Sequence, residues 1–382
     1  MLKIKKTIYI LLPVVCFICN ISQLPAQWNN RTLSTTYTLL WVTVMLMACF
    51  RFKFAIFINK VYLTLLLFFD ALIIGLQVFG DKNYLSSNFI FPIHLCFFVM
   101  FTSGLVGRIC DRDIVMKVAN AYVISSLVIA ISIYREFFSG VDWLNAKGYL
   151  YTAKNSVAII FLSAIVFIYF YWLPKYKITS WVLIAILSSL IFMMKSRATI
   201  LVWLVLAVYI LVVNRATLLG KFVGLFICLI IMLLVIYQPH LHEIFIDNIF
   251  LNNKGAEDWG TLTSGRDQHY EWFEEHFGDY WVIGTGGTYL ESFPLAVLMS
   301  YGVIGAIPVF GMAIFPFFAA LKAHSISKFD KEVKLVMILN VILIVNGFFE
   351  ELTPFGPGVK CYALWMMMGL LLGFVERERL KR

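Results

Sequence analysis

The chain has 382 residues, 61% of them apolar and 14% charged, with a mean hydropathy of +0.85. Soluble domains run near about 45–50% and about 25%, so a soluble globular protein is excluded, and the lack of ten-residue alternation excludes a membrane β-barrel. The formal net charge of +9 is spread between apolar runs, which marks topology and not a nucleic-acid footprint.

A spanning helix needs about 20 mostly apolar residues. Such runs lie near 6–23, 34–50, 61–79, 88–107, 115–134, 155–173, 178–194, 198–213, 219–238, 292–320, 333–350 and 360–375. They predict an all-α integral membrane protein of about 12 transmembrane helices, with a range of about 11–13. The range arises at 292–320, where Pro294, Pro308, Pro316, Gly302, Gly305 and Gly311 suggest a short re-entrant piece followed by a full span. The first run, after Lys3, Lys5 and Lys6, reads as an uncleaved helix, not a signal peptide. With a cytoplasmic N-terminus, about two thirds of the 31 Lys and Arg fall on inside segments. Both termini are then cytoplasmic, and residues 1–382 form a single polytopic domain. The polar stretch 239–291, between the ninth and tenth spans, becomes one long loop facing the periplasm of a bacterial inner membrane.

Cysteine usage adds little. Cys16-Phe-Ile-Cys19 has redox spacing but sits in an apolar helix, so these are read as small buried hydrophobes. The outer loop has no cysteine and must be held by packing. There is no P-loop, dinucleotide fingerprint or HExxH motif, and the cytoplasmic loops are too short for a nucleotide site. Any reaction must therefore start from an activated substrate. No repeat of fixed period is visible.

In the long loop, Thr263-Ser264-Gly265-Arg266 starts a short amphipathic helix, with Ser264 as N-cap and Asp267 in its first turn, ending near Phe277 and Gly278. Arg266, His269, Tyr270 and Phe273 share one face. An Arg at a helix N-terminus adds its charge to free N–H donors, which suits an anion such as diphosphate. Gly284-Thr285-Gly286-Gly287 forms a turn whose backbone can approach a ligand closely. Tyr289 and Glu291 follow at the membrane boundary, where a partly desolvated carboxylate is suited to acid–base work. His269 is the other candidate base.

Three more clusters fall on the same predicted side. Lys195-Ser196-Arg197-Ala198-Thr199 places cations where the positive-inside rule disfavours them, and the Arg197 guanidinium fits a phosphate bidentately. Lys154-Asn155-Ser156 adds another cation. Glu350-Glu351, beside Pro354 and Gly356, offers carboxylates for sugar hydroxyls or for pairing with Arg197 or Arg266. No spacing makes a metal site, and no cofactor is expected.

In the order and sidedness of these pieces the chain resembles the bacterial O-antigen polymerase and O-antigen ligase superfamily (Wzy and WaaL). The pieces are Ser196 to Thr199, Thr263 to Arg266, Gly284 to Gly287, and the stretch from Glu291 to Gly305. The resemblance implies a metal-independent glycosyltransferase that uses undecaprenyl-diphosphate-linked oligosaccharides, working in the lipid bilayer. A chain-length regulator is a possible partner, and nucleic acid is not. It implies that Arg197 and Arg266 bind the diphosphate and that Glu291 or His269 deprotonates the acceptor; Lys154, a cation at the same depth, is a third diphosphate candidate. Glu350, Glu351, Tyr270 and Tyr289 are the sugar-side candidates. The ligase branch usually has a His where this chain has Glu291, which favours a polymerase of O-antigen, capsule or exopolysaccharide. The alternatives are a ligase-type glycosyltransferase and a lipid-linked oligosaccharide flippase without chemistry.

Overall fold

The computed structural model describes residues 2–24, 39–40, 42–43, 46, 60–80, 82–85, 87–137, 154–212, 218–251, 266–324, 330–356 and 359–380. The expected second span, 34–50, lies almost wholly outside these residues, as do Thr263, Ser264 and Gly265. Among the described residues the regular elements are helices, with no strand.

In chain order they are α1 (Leu2–Ile21), α2 (Lys60–Phe79), α3 (Ile90–Ile109), α4 (Asp113–Phe137) and α5 (Lys154–Phe167), which runs into a π turn at Ile168–Trp172. Then come α6 (Lys177–Met193), α7 (Arg197–Val212), α8 (Leu218–Tyr237), α9 (Pro239–His242) with a π segment at Glu243–Phe250, and α10 (Arg266–Tyr280). The last three are α11 (Phe293–His324), α12 (Asp330–Gly347) and α13 (Val359–Leu380). Every expected run except 34–50 coincides with one of these helices.

Among the described residues, six helices are long and apolar enough to cross a membrane: α2, α3, α4, α5 with its π turn, α8 and α11. The chain is an all-α, multi-pass membrane protein. Helix α8 shows why hydrocarbon must be the solvent. Only 6% of its apolar window is buried, and Phe222, Phe226, Ile231 and Met232 are each more than half exposed. In water that surface would be an aggregation site; against lipid tails it is already solvated.

Inside the bundle, helices meet through backbone contact. Helix α13 lies so close on α3 that a Cβ on Gly373 would come 2.0 Å from Gly104 O, and one on Gly369 2.2 Å from Met100 O. Small residues four apart let membrane helices approach in this way. The Gly369-to-Gly373 spacing was a readable signal for this packing.

The charged groups separate to opposite ends. At one end Arg108 pairs with Glu376, Arg112 with Glu332, and Arg377 donates to Cys110 O at 2.6 Å. Asp111 N–H donates to the Tyr9 hydroxyl at 2.8 Å. These residues come from the segments expected to be cytoplasmic, and they mark the basic end. At the loop end lie the starts of α5, α7 and α10, the end of α12 and the 348–356 connection.

Helix α11 is broken. Gly302 has φ 62° and ψ −173° in an otherwise helical run. The break divides the run into a short piece, 293–301, and a long piece, 303–324, within the stretch where the Pro and Gly residues predict an interruption. Backbone freed by the break is taken up by the chain before α11. Val303 N–H donates to Trp281 O at 2.7 Å, Thr285 N–H to Met299 O at 2.7 Å, and Gly286 N–H to Ser300 O at 2.9 Å. In a bilayer such groups must find protein partners.

Candidate functional site

The loop helix α10 is described from Arg266 and runs through Gly278 to Tyr280, past the expected end. A Cβ on Gly278 would meet nothing within 4 Å, so this glycine neither makes a close contact nor ends the helix. Arg266 and His269 project from one side onto the segment leading into α11. Tyr270 is 44% exposed and makes no hydrogen bond among the described residues.

Arg266 joins two parts of the loop end. Its Nη2 lies 3.2 Å from Glu291 Oε2 and donates to Phe349 O at 3.0 Å. Glu291 N–H donates to His269 Nδ1 at 3.2 Å, and the Tyr289 hydroxyl donates to Glu291 Oε1 at 3.3 Å. The His269 and Tyr289 rings meet edge to face at 5.9 Å. Both base candidates are therefore engaged. Glu291 is held by a guanidinium, and a His269 ring that accepts at Nδ1 carries its proton on Nε2 when neutral. Both residues thus lie in one contact network with Arg266.

The 348–356 connection is fixed from beneath. Trp365 Nε1 donates to Pro354 O at 2.8 Å, and the Cys96 thiol to Phe355 O at 3.1 Å. The Phe355 ring stacks on Trp365 at 5.5 Å. Glu350 forms an ion pair with the buried Lys360 and accepts from Thr353 Oγ1 at 2.9 Å. It pairs with neither Arg197 nor Arg266. Lys360 carries the only cue for this partner, a cation at the start of an apolar run, and spacing alone did not single it out.

Glu351 is different. It is half-buried and makes no hydrogen bond or ion pair among the described residues. Burial pushes its carboxyl up to about 7 from an ordinary 4.5. Its charge is felt by Tyr289, whose phenol is raised by burial first, then by Glu291 and Glu351, with Arg266 pulling the other way. Tyr289 thus reports one shared field from Arg266, Glu291 and Glu351.

The other clusters connect through the end of α12. Lys195, with φ 52° and 3% exposure, turns the chain between α6 and α7. The Lys154 ammonium reaches Lys195 O at 3.5 Å. The Ser196 hydroxyl lies 3.0 Å from Asn155 Oδ1 and 3.1 Å from Thr199 Oγ1. Thr199 Oγ1 in turn donates to Asn346 Oδ1 at 3.5 Å, one turn before Phe349. Arg197 opens α7 directly after Ser196, while Lys154 and Arg266 are the first described residues of α5 and α10. A helix N-terminus already carries partial positive charge, so a cation there is disfavoured by about 0.3–1 kcal/mol. Arg197 at such a position, with Lys154 and Arg266 at the same end of the bundle, concentrates positive potential where an anion would be held.

No protein-family model matches the chain, and no curated protein matches it.

The glycine turn does something other than expected. A Cβ on Gly284, at φ 74°, would lie 2.4 Å from Ser300 C, and one on Gly302 2.2 Å from Val282 O. The backbone closes on the break in α11, not on an open cavity. Gly284 O also accepts from Lys82 Nζ at 3.2 Å and from the Tyr84 hydroxyl at 3.3 Å. Lys82 lies over the Tyr280 ring at 3.9 Å. The 82–85 segment is therefore a further wall of the loop end, one that the sequence clusters did not include.

Proposed function

We propose that the chain is a polysaccharide polymerase that moves a lipid-linked glycan onto a new undecaprenyl-diphosphate-linked repeat unit at the periplasmic face of the inner membrane. The observation that carries this reading is the gathering of three cations, Arg197 at the start of α7 with Lys154 and Arg266, at one end of the bundle. That end faces a half-buried carboxylate that titrates near neutrality. A polyprenyl diphosphate supplies the anion, and its lipid suits the membrane setting.

In this reading the acceptor hydroxyl attacks the anomeric carbon of the donor. The bond from that carbon to the diphosphate oxygen breaks as the new glycosidic bond forms. The diphosphate leaves with the electron pair against Arg197, Arg266 and Lys154. Glu351 takes the hydroxyl proton, because its half-buried carboxylate has no partner among the described residues and a pKa raised to about 7, matched to neutral pH. Glu291 and His269 orient Arg266, and Tyr289 lines the sugar side. This reading takes twelve spans with both termini inside, an arrangement that would put all these groups on one membrane face.

The test uses Arg197→Ala and Arg266→Ala in cells making the polymer, with glycan length read on gels. Short or single-unit glycans at normal protein levels are expected. Full-length polymer in both variants would remove the diphosphate role from these residues.

A further inference from the structure

At the basic end, the last turn of the α5 region opens from α to π geometry over Ile168–Trp172, with Leu173 N–H donating to Ile168 O at 2.9 Å. The wider turn buries Tyr171 while leaving Tyr169 and Phe170 half-buried at the surface. Such turns recur at functional sites. Beside this one lies an open surface groove of about 450 Å³ against the starts of α6 and α12, lined by Tyr169, Phe170, Leu173, Trp181, Lys177 and Lys331 among others. That volume is in the range of small-molecule sites.

The walls are aromatic and the only charges on the lining are two lysines. The Lys331 ammonium sits over the Tyr171 ring at 4.7 Å, and neither Lys177 nor Lys331 has a carboxylate partner among the described residues. Arg112 and Lys175 add to the positive field at Lys331. Glu332 opposes it, but that carboxylate is buried and paired with Arg112. Asp330, the neighbouring acid, is paired with Lys334. Ile178, Trp181 and Val182, along the outer side of α6, are each more than half exposed. An apolar strip thus leads directly to an unneutralised pair of cations at a membrane boundary.

We propose that this groove binds the phosphodiester headgroup of an anionic phospholipid. Lys177 and Lys331 hold the phosphate, and the acyl chains lie along Trp181 and the outer side of α6. Basic pockets between spans at the cytoplasmic side hold acidic lipids in this way. The site lies at the opposite end of the bundle from the diphosphate groups and is independent of them.

The test is native mass spectrometry of the full-length protein equilibrated with equal phosphatidylglycerol and phosphatidylcholine. Wild type is expected to retain phosphatidylglycerol preferentially. Lys177→Gln with Lys331→Gln should cut that retention by about 25-fold, at about fivefold for each lysine near an anionic surface. The paired Lys→Arg variant should keep it, and Trp181→Ala, which leaves both charges, should lower it without changing thermal unfolding. Equal retention of the two lipids by wild type would overturn the proposal. So would unchanged retention in the double Gln variant, or complete displacement of the lipid by inorganic phosphate, which would make this a free-anion site.

Discussion

Replacing Glu351 with Gln should separate stability from activity in opposite directions. The carboxyl is raised to about 7 from 4.5. A raised pKa means that the native state binds the proton more tightly than the unfolded state. The ionised carboxylate therefore destabilises the fold, by an amount that grows as pH rises from about 4.5 to about 7 and is constant above that. The full shift corresponds to about 3 kcal/mol, and because the group is only half-buried, water screening reduces this to about 1–2 kcal/mol. Glu351→Gln removes that cost. In detergent, the variant should unfold at a higher temperature than wild type at pH 8, while the two should match at pH 5. Transfer activity should be lost at both. For wild type, activity should fall about tenfold per unit below pH 7 as the base is protonated. A variant that is less stable than wild type at pH 8, or that still makes polymer, would refute the reasoning.

Three further outcomes follow from the same geometry. Lys360→Met should cost about 3–5 kcal/mol, because it strands the Glu350 carboxylate, and adding Glu350→Gln should restore much of the melting temperature. Gly302→Ala should abolish folded protein, as judged by size exclusion, because a Cβ would lie 2.2 Å from Val282 O at a positive φ; Gly278→Ala, in open space, should be neutral or slightly stabilising. Arg266→Lys keeps the charge but cannot serve both Phe349 O and Glu291 with one planar fork, so glycan length should shorten while thermal stability changes by less than about 1 kcal/mol.

The membrane class and helix positions were legible because hydropathy acts over whole segments. Residues 61–79 and 88–107 became α2 and α3 with shifts of one or two positions at the ends. The clusters around Lys154, Arg197, Arg266, Glu291 and Glu350 were visible as polar groups at helix ends, and the structure does bring them to one end of the bundle. What could not be read was who pairs with whom. Glu350 and Glu351 are adjacent and chemically alike, yet one is neutralised by Lys360 from the next helix and the other is left unpaired and desolvated. The hydrogen bond from Glu291 N–H to His269 Nδ1 joins residues 22 positions apart and has no local signal in the sequence. Gly284 and Gly302 have no local pattern linking them; only the break in α11 explains both. These are tertiary facts, set by contacts far apart in the chain.

The central claim is glycosyl transfer at the loop end. It is tested most directly by giving the purified protein synthetic undecaprenyl-diphosphate-linked repeat units in liposomes and following the lipid-linked products by mass spectrometry. Products lengthened by whole repeat units, with release of undecaprenyl diphosphate, are expected from wild type and not from Arg266→Ala. Movement of the lipid-linked unit across the bilayer with no change in its mass would contradict the account and mark the chain as a transporter.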